Sequence, residues 1–257
     1  MSAPTLTSAP APRLVPATEV AVGAPTRTLK VGGVTPFSAT DYPGKLAAVV
    51  FVQGCPWRCG YCHNPHLQAR TGPRPLPWSA VLALLKRRVG LIDAVVFSGG
   101  EPTMDPGLAD AMRAVRALGF GVGLHSAGMY PRRLAQVLPL VDWVGLDVKA
   151  PWQNYDAITG IADSARQARA GADLVLASGV AHEFRTTVHP ALHSESDILA
   201  LAHALQAMGA REYVLQVFRA TGCGDARLDA ASTLAYPGAA LLARVAALFD
   251  RFSLRQA

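Results

Sequence analysis

A short apolar run followed by a stretch with helical spacing occurs six times in succession from about residue 46, and this alternation restricts the fold more than any other feature of the chain. The runs are Leu46–Gln53, Ile92–Phe97, Phe120–His125, Asp142–Val148, Glu183–Val188 and Glu212–Phe218. They are rich in Val, Leu and Phe and do not alternate strictly with polar residues, as expected of strands covered on both faces. Six successive βα units predict an α/β fold with one parallel sheet and right-handed crossovers. Such a sheet is open or curled into a partial barrel. In either form ligands gather at the C-terminal ends of the strands.

The intervening stretches carry helix signals. Ser79 is placed to cap a helix through Val81, Leu82, Leu85 and Val89, with Lys86, Arg87 and Arg88 near its C-terminal end, where cations are favoured, and Gly90 as the stop. Asp105 and Pro106 read as cap and first turn ahead of Leu108, Met112, Val115 and Leu118, with Gly119 ending the run. Ser194 and Asp197 have capping-box spacing before Ile198, Leu201 and Leu205. A last helix is expected from about Pro237 to Phe252.

The 257 residues are 51% apolar and 16% charged, enough for a sizeable core, and residues 29–257 are expected to form one domain. Residues 1–28 are dominated by Pro, Ala, Ser and Thr with no apolar period, the composition of a disordered tail. No apolar run reaches the ~18–20 residues that span a bilayer, and no charged segment precedes an apolar leader core. No membrane is therefore expected, and the cytoplasm is the expected location. The formal charge is +6, without a dense Lys/Arg run or an aromatic-interleaved basic stripe, so nucleic acid is not an expected partner.

Three of the four cysteines, Cys55, Cys59 and Cys62, lie in GCPWRCGYCHNP, and Cys223 is far away. This distribution fits a metal in a reducing compartment rather than a disulfide framework. Thiolates this close in sequence can converge on one metal centre, and three of them leave a coordination position for another ligand. Two readings follow. One is a zinc site with His63 as fourth ligand, made awkward because His63 adjoins Cys62. The other is a [4Fe–4S] cluster held by three thiolates.

Other polar groups also cluster at or near strand ends: Ser98-Gly99-Gly100-Glu101-Pro102, His125-Ser126-Ala127-Gly128, Asp147 with Lys149, Arg185 near His189, and Gln216, Arg219 and Cys223. Read alone, each has a plain explanation. Paired glycines make tight turns, and Asp147 and Lys149, two apart on one side of a strand, can simply pair with each other. A mid-strand Arg needs some partner, because burying a bare charge is costly. Convergence of all of them at one end of the sheet is what points to a site.

With Tyr61 just before the last cysteine, the C-x3-C-x2-C spacing resembles the signature of radical S-adenosylmethionine (SAM) enzymes. FVQGC, YCHNP and the upstream TPFSATDYPGK narrow the likeness to activating enzymes of glycyl-radical proteins, especially the anaerobic ribonucleoside-triphosphate reductase activating type. SGGEPTM, WVGLDVKAP and EFRTTVHP extend it over roughly residues 32–220. The resemblance implies a partial (β/α)6 barrel of parallel strands, a [4Fe–4S] cluster on Cys55, Cys59 and Cys62, and SAM on the open iron. One electron from the cluster would cleave SAM to methionine and a 5′-deoxyadenosyl radical, which would take a hydrogen from a backbone glycine of the partner. That partner is expected to be anaerobic ribonucleotide reductase, with a flavodoxin or ferredoxin as electron donor. The lack of cysteine in residues 63–98 disfavours activases with a ferredoxin-like insert.

By the same resemblance, Gly99, Gly100 and Glu101 hold the amino group of SAM, and a carboxylate suits an ammonium. Tyr61 contacts the adenine, and Asn64 belongs to the same cofactor-binding loop. Ser126 bonds the carboxylate or ribose. Asp147 and Lys149 touch the ribose or carboxylate, with Lys149 grouped with the three cysteines as catalytic, and Arg185 takes a ligand carboxylate. Where the family often has Asp-Thr-Asn-Gly, this chain has His125-Ser126-Ala127-Gly128, so a cation site built on that Asp would lack its carboxylate. His125, His189 and Cys223 receive no role. The competing functions are another small radical SAM enzyme acting on a nucleoside or peptide, and a zinc-bound interaction module.

Overall fold

Eight strands in unbroken sequential order form one sheet in a computed structural model that describes residues 28–72, 75–228 and 233–256. The proposed tail, residues 1–28, lies outside the described residues except for Thr28. The strands are β1 (Val31–Ser38), β2 (Ala47–Val52), β3 (Ala94–Gly99), β4 (Gly121–Ser126), β5 (Trp143–Asp147), β6 (Ala181–Val188), β7 (Glu212–Val217) and β8 (Arg251–Arg255). Strand β1 is antiparallel to β2, and every later neighbour is parallel. The six expected strands are β2 to β7, each within a few residues of its sequence bounds. Because the order never doubles back, the sheet is built like a barrel wall rather than a doubly wound sheet. Strands β1 and β8 do not pair, so the wall is open.

The helices are α1 (Trp78–Lys86), α2 (Leu108–Ala117), α3 (Pro131–Val137), α4 (Tyr155–Thr159), α5 (Ser164–Ser178), α6 (Glu195–Ala207) and α7 (Ala239–Ala246). Helix α6 opens with the expected reciprocal capping box between Ser194 and Asp197. Two caps differ from expectation. Helix α1 starts one residue before Ser79, with Pro77 at the cap, so Ser79 lies inside the first turn. Asp105 caps the turn ahead of α2, accepting from the Gly107 N–H at 2.8 Å, and the helix proper begins at Leu108. Among the described residues no helix is long and apolar enough to cross a membrane.

Alternate side chains of the strands enter two cores, as the two-residue period requires. Ala48, Val50 and Val52 face the large helix-covered core, while Ala47 and Val49 join Ala94 and Val96 in a small cluster on the other face. Tyr42, from the connection between β1 and β2, packs on that small cluster and stacks on Trp143 at 5.0 Å. The connection is thus folded over the inner face of the wall and closes one side of what lies above it.

Two strands depart from the sequence reading. β1 contains Gly32, Gly33 and Pro36, which argue against a central strand but are tolerated at an edge. The last helix is shorter than expected, ending at Ala246, and Arg251–Arg255 adds β8 beside β7. Leu248, Phe249 and Phe252 continue a helical spacing, yet Phe252 packs on Tyr213 of β7 as a strand residue.

Candidate functional site

After β2 the chain turns at Gly54 (φ 108°) into the cysteine loop. The loop is tied to its surroundings through backbone bonds: Gly54 N–H to Leu67 O at 2.7 Å, Cys55 N–H to Gln68 O at 3.0 Å and Arg58 N–H to Thr159 O at 2.8 Å. Trp57 is buried and meets the edge of Tyr155 from α4, ring centres 5.8 Å apart. Held this way, Cys55, Cys59 and Cys62 all line one cavity of about 230 Å³. Burial pushes the Cys55 thiol up to about 12, with Glu101 adding to the effect. Burial raises Cys59 as well, against the opposing charge of Lys149. Thiols held this way shed their protons only when a metal takes their place.

The donor set discriminates between the two metals considered. Among the described residues no group of three His, Cys, Asp or Glu side chains is placed to hold a single metal ion. The His63 ring lines the same cavity, but its Nε2–H donates to Arg219 O at 2.9 Å and its face is stacked on Phe218. A mononuclear Cys3His zinc site therefore does not fit. Three soft thiols spread around a cavity, with no fourth cysteine lining it, fit a multi-iron cluster with one corner left over. Cys223 sits outside that lining, its thiol directed at Gly60 O at 3.5 Å.

The Gly99-Gly100 turn at the end of β3 is packed against the root of the cysteine loop. A Cβ on Gly99 (φ 117°) would lie 2.5 Å from Val52 N, and one on Gly100 would lie 2.3 Å from Gly54 O. Both positions demand glycine because backbone meets backbone, and both line the cavity. Glu101 does not. Its carboxylate is fully buried and accepts from Thr103 N–H, Thr103 O–H, Ser126 O–H and Ala127 N–H at 2.5–3.1 Å. Burial raises its pKa, and the four donors oppose that rise. Three of these bonds end on Oε1 and one on Oε2, so within the chain the carboxylate fastens the β3 turn to the end of β4.

Asp147, Lys149 and Arg185 line the cavity as a connected set. Arg185, 6% exposed, donates from Nε to Asp147 Oδ1 at 2.9 Å, with Nη2 2.8 Å from the same oxygen and 3.2 Å from Gly145 O. Gly145 makes room for it, since a Cβ there would lie 2.6 Å from Nη1. The partner of this mid-strand arginine is thus Asp147 rather than a ligand alone. Lys149 Nζ lies 3.6 Å from Asp147 and 5.5 Å from the centre of the Tyr61 ring. Burial alone would raise the Asp147 carboxyl, but Arg185 and Lys149 outweigh it and hold the pKa low. Burial opposes the charge of Lys149, but its acidic neighbours, Asp147 among them, outweigh it and hold the pKa above the ordinary lysine value. The Lys149 backbone is fixed on both sides, its N–H donating to Tyr155 OH at 3.1 Å and its carbonyl accepting from His193 Nε2 at 2.8 Å.

Ser126, Tyr61 and Asn64 also line the cavity. His125 is neutral, because burial first and the Arg185 guanidinium second hold it well below the usual imidazole range. Its Nε2–H donates to Asp41 O at 2.8 Å, leaving Nδ1 to accept from Ser98 at 3.2 Å, so it joins the β1–β2 connection to β4. His189 packs edge-on to Phe218 and lies outside the cavity lining. Gln216, one of the polar groups expected at the strand ends, lines the cavity, and several lining residues had no place among the sequence candidates: Asp41, Trp57, Gln68, Met129 and Thr187. Thr187 lies at a strand end, where the topology rule could have found it. Asp41 was masked by the unforeseen strand before it.

The model of the radical SAM superfamily matches residues 49–215. A protein of Methanocaldococcus jannaschii with the provisional name glycyl-radical enzyme activating enzyme is 29% identical over 185 residues, covering 68% of this chain and 75% of that one. The pyruvate formate-lyase-activating enzyme of Clostridium pasteurianum is 32% identical over 137 residues, 51% of this chain and 57% of that one. Among solved structures, a radical SAM methyltransferase from Sphaerobacter thermophilus superposes with a TM-score of 0.62 at 16% identity, covering 84% of this chain and 67% of that one. The last comparison establishes likeness of fold alone.

Proposed function

Because the chain belongs to the radical SAM superfamily, we propose that it activates a glycyl-radical enzyme, and that anaerobic ribonucleoside-triphosphate reductase is the partner. The observation that carries the reading is the meeting, in one cavity, of three cluster-type thiols with the Gly99-Gly100 turn and the Asp147–Lys149–Arg185 set. Cys55, Cys59 and Cys62 would hold a [4Fe–4S] cluster, and the Gly99-Gly100 turn, Ser126 and the Asp147–Lys149–Arg185 set would hold SAM. Bound there, the cluster and SAM would supply the one-electron reductive chemistry by which a hydrogen atom is taken from a glycine Cα.

The chain's own residues do the positioning. Gly99 and Gly100 bring bare backbone to the cavity edge, where a ligand can approach closely. Ser126 offers a hydroxyl beside them. Lys149 and Arg185 hold two positive charges at fixed places, and Asp147 keeps them there. Trp57 and Tyr61, both buried, exclude water from the thiols. A low-potential carrier such as a flavodoxin or ferredoxin would supply the electron.

Anaerobic reconstitution tests this directly. About four irons per chain, a visible iron–sulfur absorbance and 5′-deoxyadenosine release from SAM are expected. Adding the reductase should give a glycyl-radical EPR doublet. Cys59→Ala should abolish both the product and the doublet, because two thiolates hold the cluster poorly. A colourless, zinc-loaded protein without SAM cleavage would overturn the reading.

A further inference from the structure

We propose that Thr187 and Gln216 form a neutral wall that reads the peptide backbone of the radical acceptor, so that the cavity accepts a polypeptide glycine and rejects phosphorylated nucleotides. This rests on the activase reading and names the chemistry that selects its substrate. Thr187 of β6 and Gln216 of β7 are register partners on adjacent parallel strands, and both line the cavity. Neither side chain has a hydrogen-bond partner among the described residues. A carboxamide presents a donor and an acceptor together, and a hydroxyl presents either. That pair matches the N–H and C=O of a peptide unit.

The strands beneath the wall are rigid. Thr186 Oγ1 donates to Val148 O at 2.6 Å, and Tyr213 OH donates to Thr186 Oγ1 at 2.8 Å, locking β6 to β5 and β7. Side chains on braced strands hold geometry better than side chains on loops. Thr187 on β6 lies two strands along the sheet from Ser126 on β4 and three from the Gly99-Gly100 turn after β3, and Gln216 on β7 lies one strand further from each.

The charges argue the same way. Two cations line the cavity, Lys149 and Arg185, and both face Asp147. Asp41 supplies a second carboxylate, so the lining holds two positive and two negative groups. A triphosphate needs surplus Arg or Lys, or a nest of backbone N–H groups at a helix start, and the wall offers neither. A glycine peptide needs no net charge. The step the wall serves moves one hydrogen atom. The glycine Cα–H bond breaks, a C–H bond forms at C5′ of the deoxyadenosyl fragment from SAM, and the unpaired electron stays on Cα.

The test uses the blocked peptide acetyl-Ala-Gly-Ala-amide, deuterated at the glycine Cα, with ATP and CTP as the competing class. In the reconstituted enzyme with SAM and dithionite, deuterium should enter 5′-deoxyadenosine from the peptide, and neither nucleotide should suppress it. Gln216→Leu and Thr187→Val should each lower deuterium incorporated per 5′-deoxyadenosine by about tenfold, and Gln216→Asn should lower it less. Calorimetric titration of the peptide into cluster-free protein should show the same loss of affinity, independent of turnover. Wild-type-like transfer in the leucine and valine variants would overturn the proposal. So would a fall in SAM affinity without a fall in transfer, which would assign the wall to the adenine, and so would preferential labelling from a nucleotide. If wild-type enzyme cleaved no SAM, the activase reading would fail separately, and peptide binding equal in wild type and variants would still overturn the wall.

Discussion

Among the described residues Arg185 has a single carboxylate, Asp147, to answer its charge, and that dependence sets what substitution there must do. Asp147→Asn removes the anion and leaves a guanidinium that is only 6% exposed facing a neutral amide. Breaking a buried pair from one side costs about 3 kcal/mol, somewhat less here because Asp147 is partly open to solvent. Since the folded carboxyl is held below its ordinary value, its contribution is present above the unfolded pKa of about 4 and is lost as pH falls through the folded one. Urea titrations should show wild type and Asp147→Asn differing most near pH 7 and converging below pH ~4. A gap independent of pH would show that the ion pair contributes little. The motif residues were visible in the sequence, but their partners were not. Glu101 stands in a recognisable Gly-Gly-Glu turn, yet its donors come from Thr103, Ser126 and Ala127, two of them on another strand end. The identity of a residue shows that it needs partners; only the folded chain says whether a ligand or the protein supplies them.

At the scale of elements, β8 is stitched into the wall by charge as well as by backbone. Arg255 reaches past β7 to grip Glu183 of β6 with two bonds of 2.7 Å, and Glu183 is fully buried. Arg255→Ala should cost about 3 kcal/mol by stranding that carboxylate. Glu183→Gln combined with Arg255→Ala should cost less than the sum of the two, and strict additivity in a double-mutant cycle would sink this account. The same element shows where sequence reading stops. Strands β2 to β7 declare themselves because both faces are covered and almost every side chain must be apolar. Strands β1 and β8 are edges. One tolerates Gly32, Gly33 and Pro36, and the other, RFSLR, has too few apolar residues to stand apart from the helix before it.

For the molecule as a whole, the loops after β2 and β7 are clasped to each other. The cysteine loop leaves β2, and the segment after β7 returns over it: Arg219 O receives the His63 ring, and Gly222 (φ 87°) packs so closely that a Cβ would lie 2.5 Å from His63 O. Gly222→Ala should loosen that clasp, lowering iron per chain after reconstitution severalfold while the melting temperature of the cluster-free protein shifts by only a few degrees. Undiminished iron loading would show that the loop does not depend on it. The amino-acid sequence by itself determined the six-unit parallel architecture and the end of the sheet at which the chemistry gathers, because apolar periodicity and cysteine spacing are local properties. Tertiary structure alone decided that Arg185 is paired with Asp147, that Glu101 is bonded by Ser126, that His63 gives its ring N–H to Arg219, and that Asp41 and Thr187 share the cavity. Those outcomes depend on distances between residues far apart in the chain, which are fixed only when the sheet brings its strand ends together.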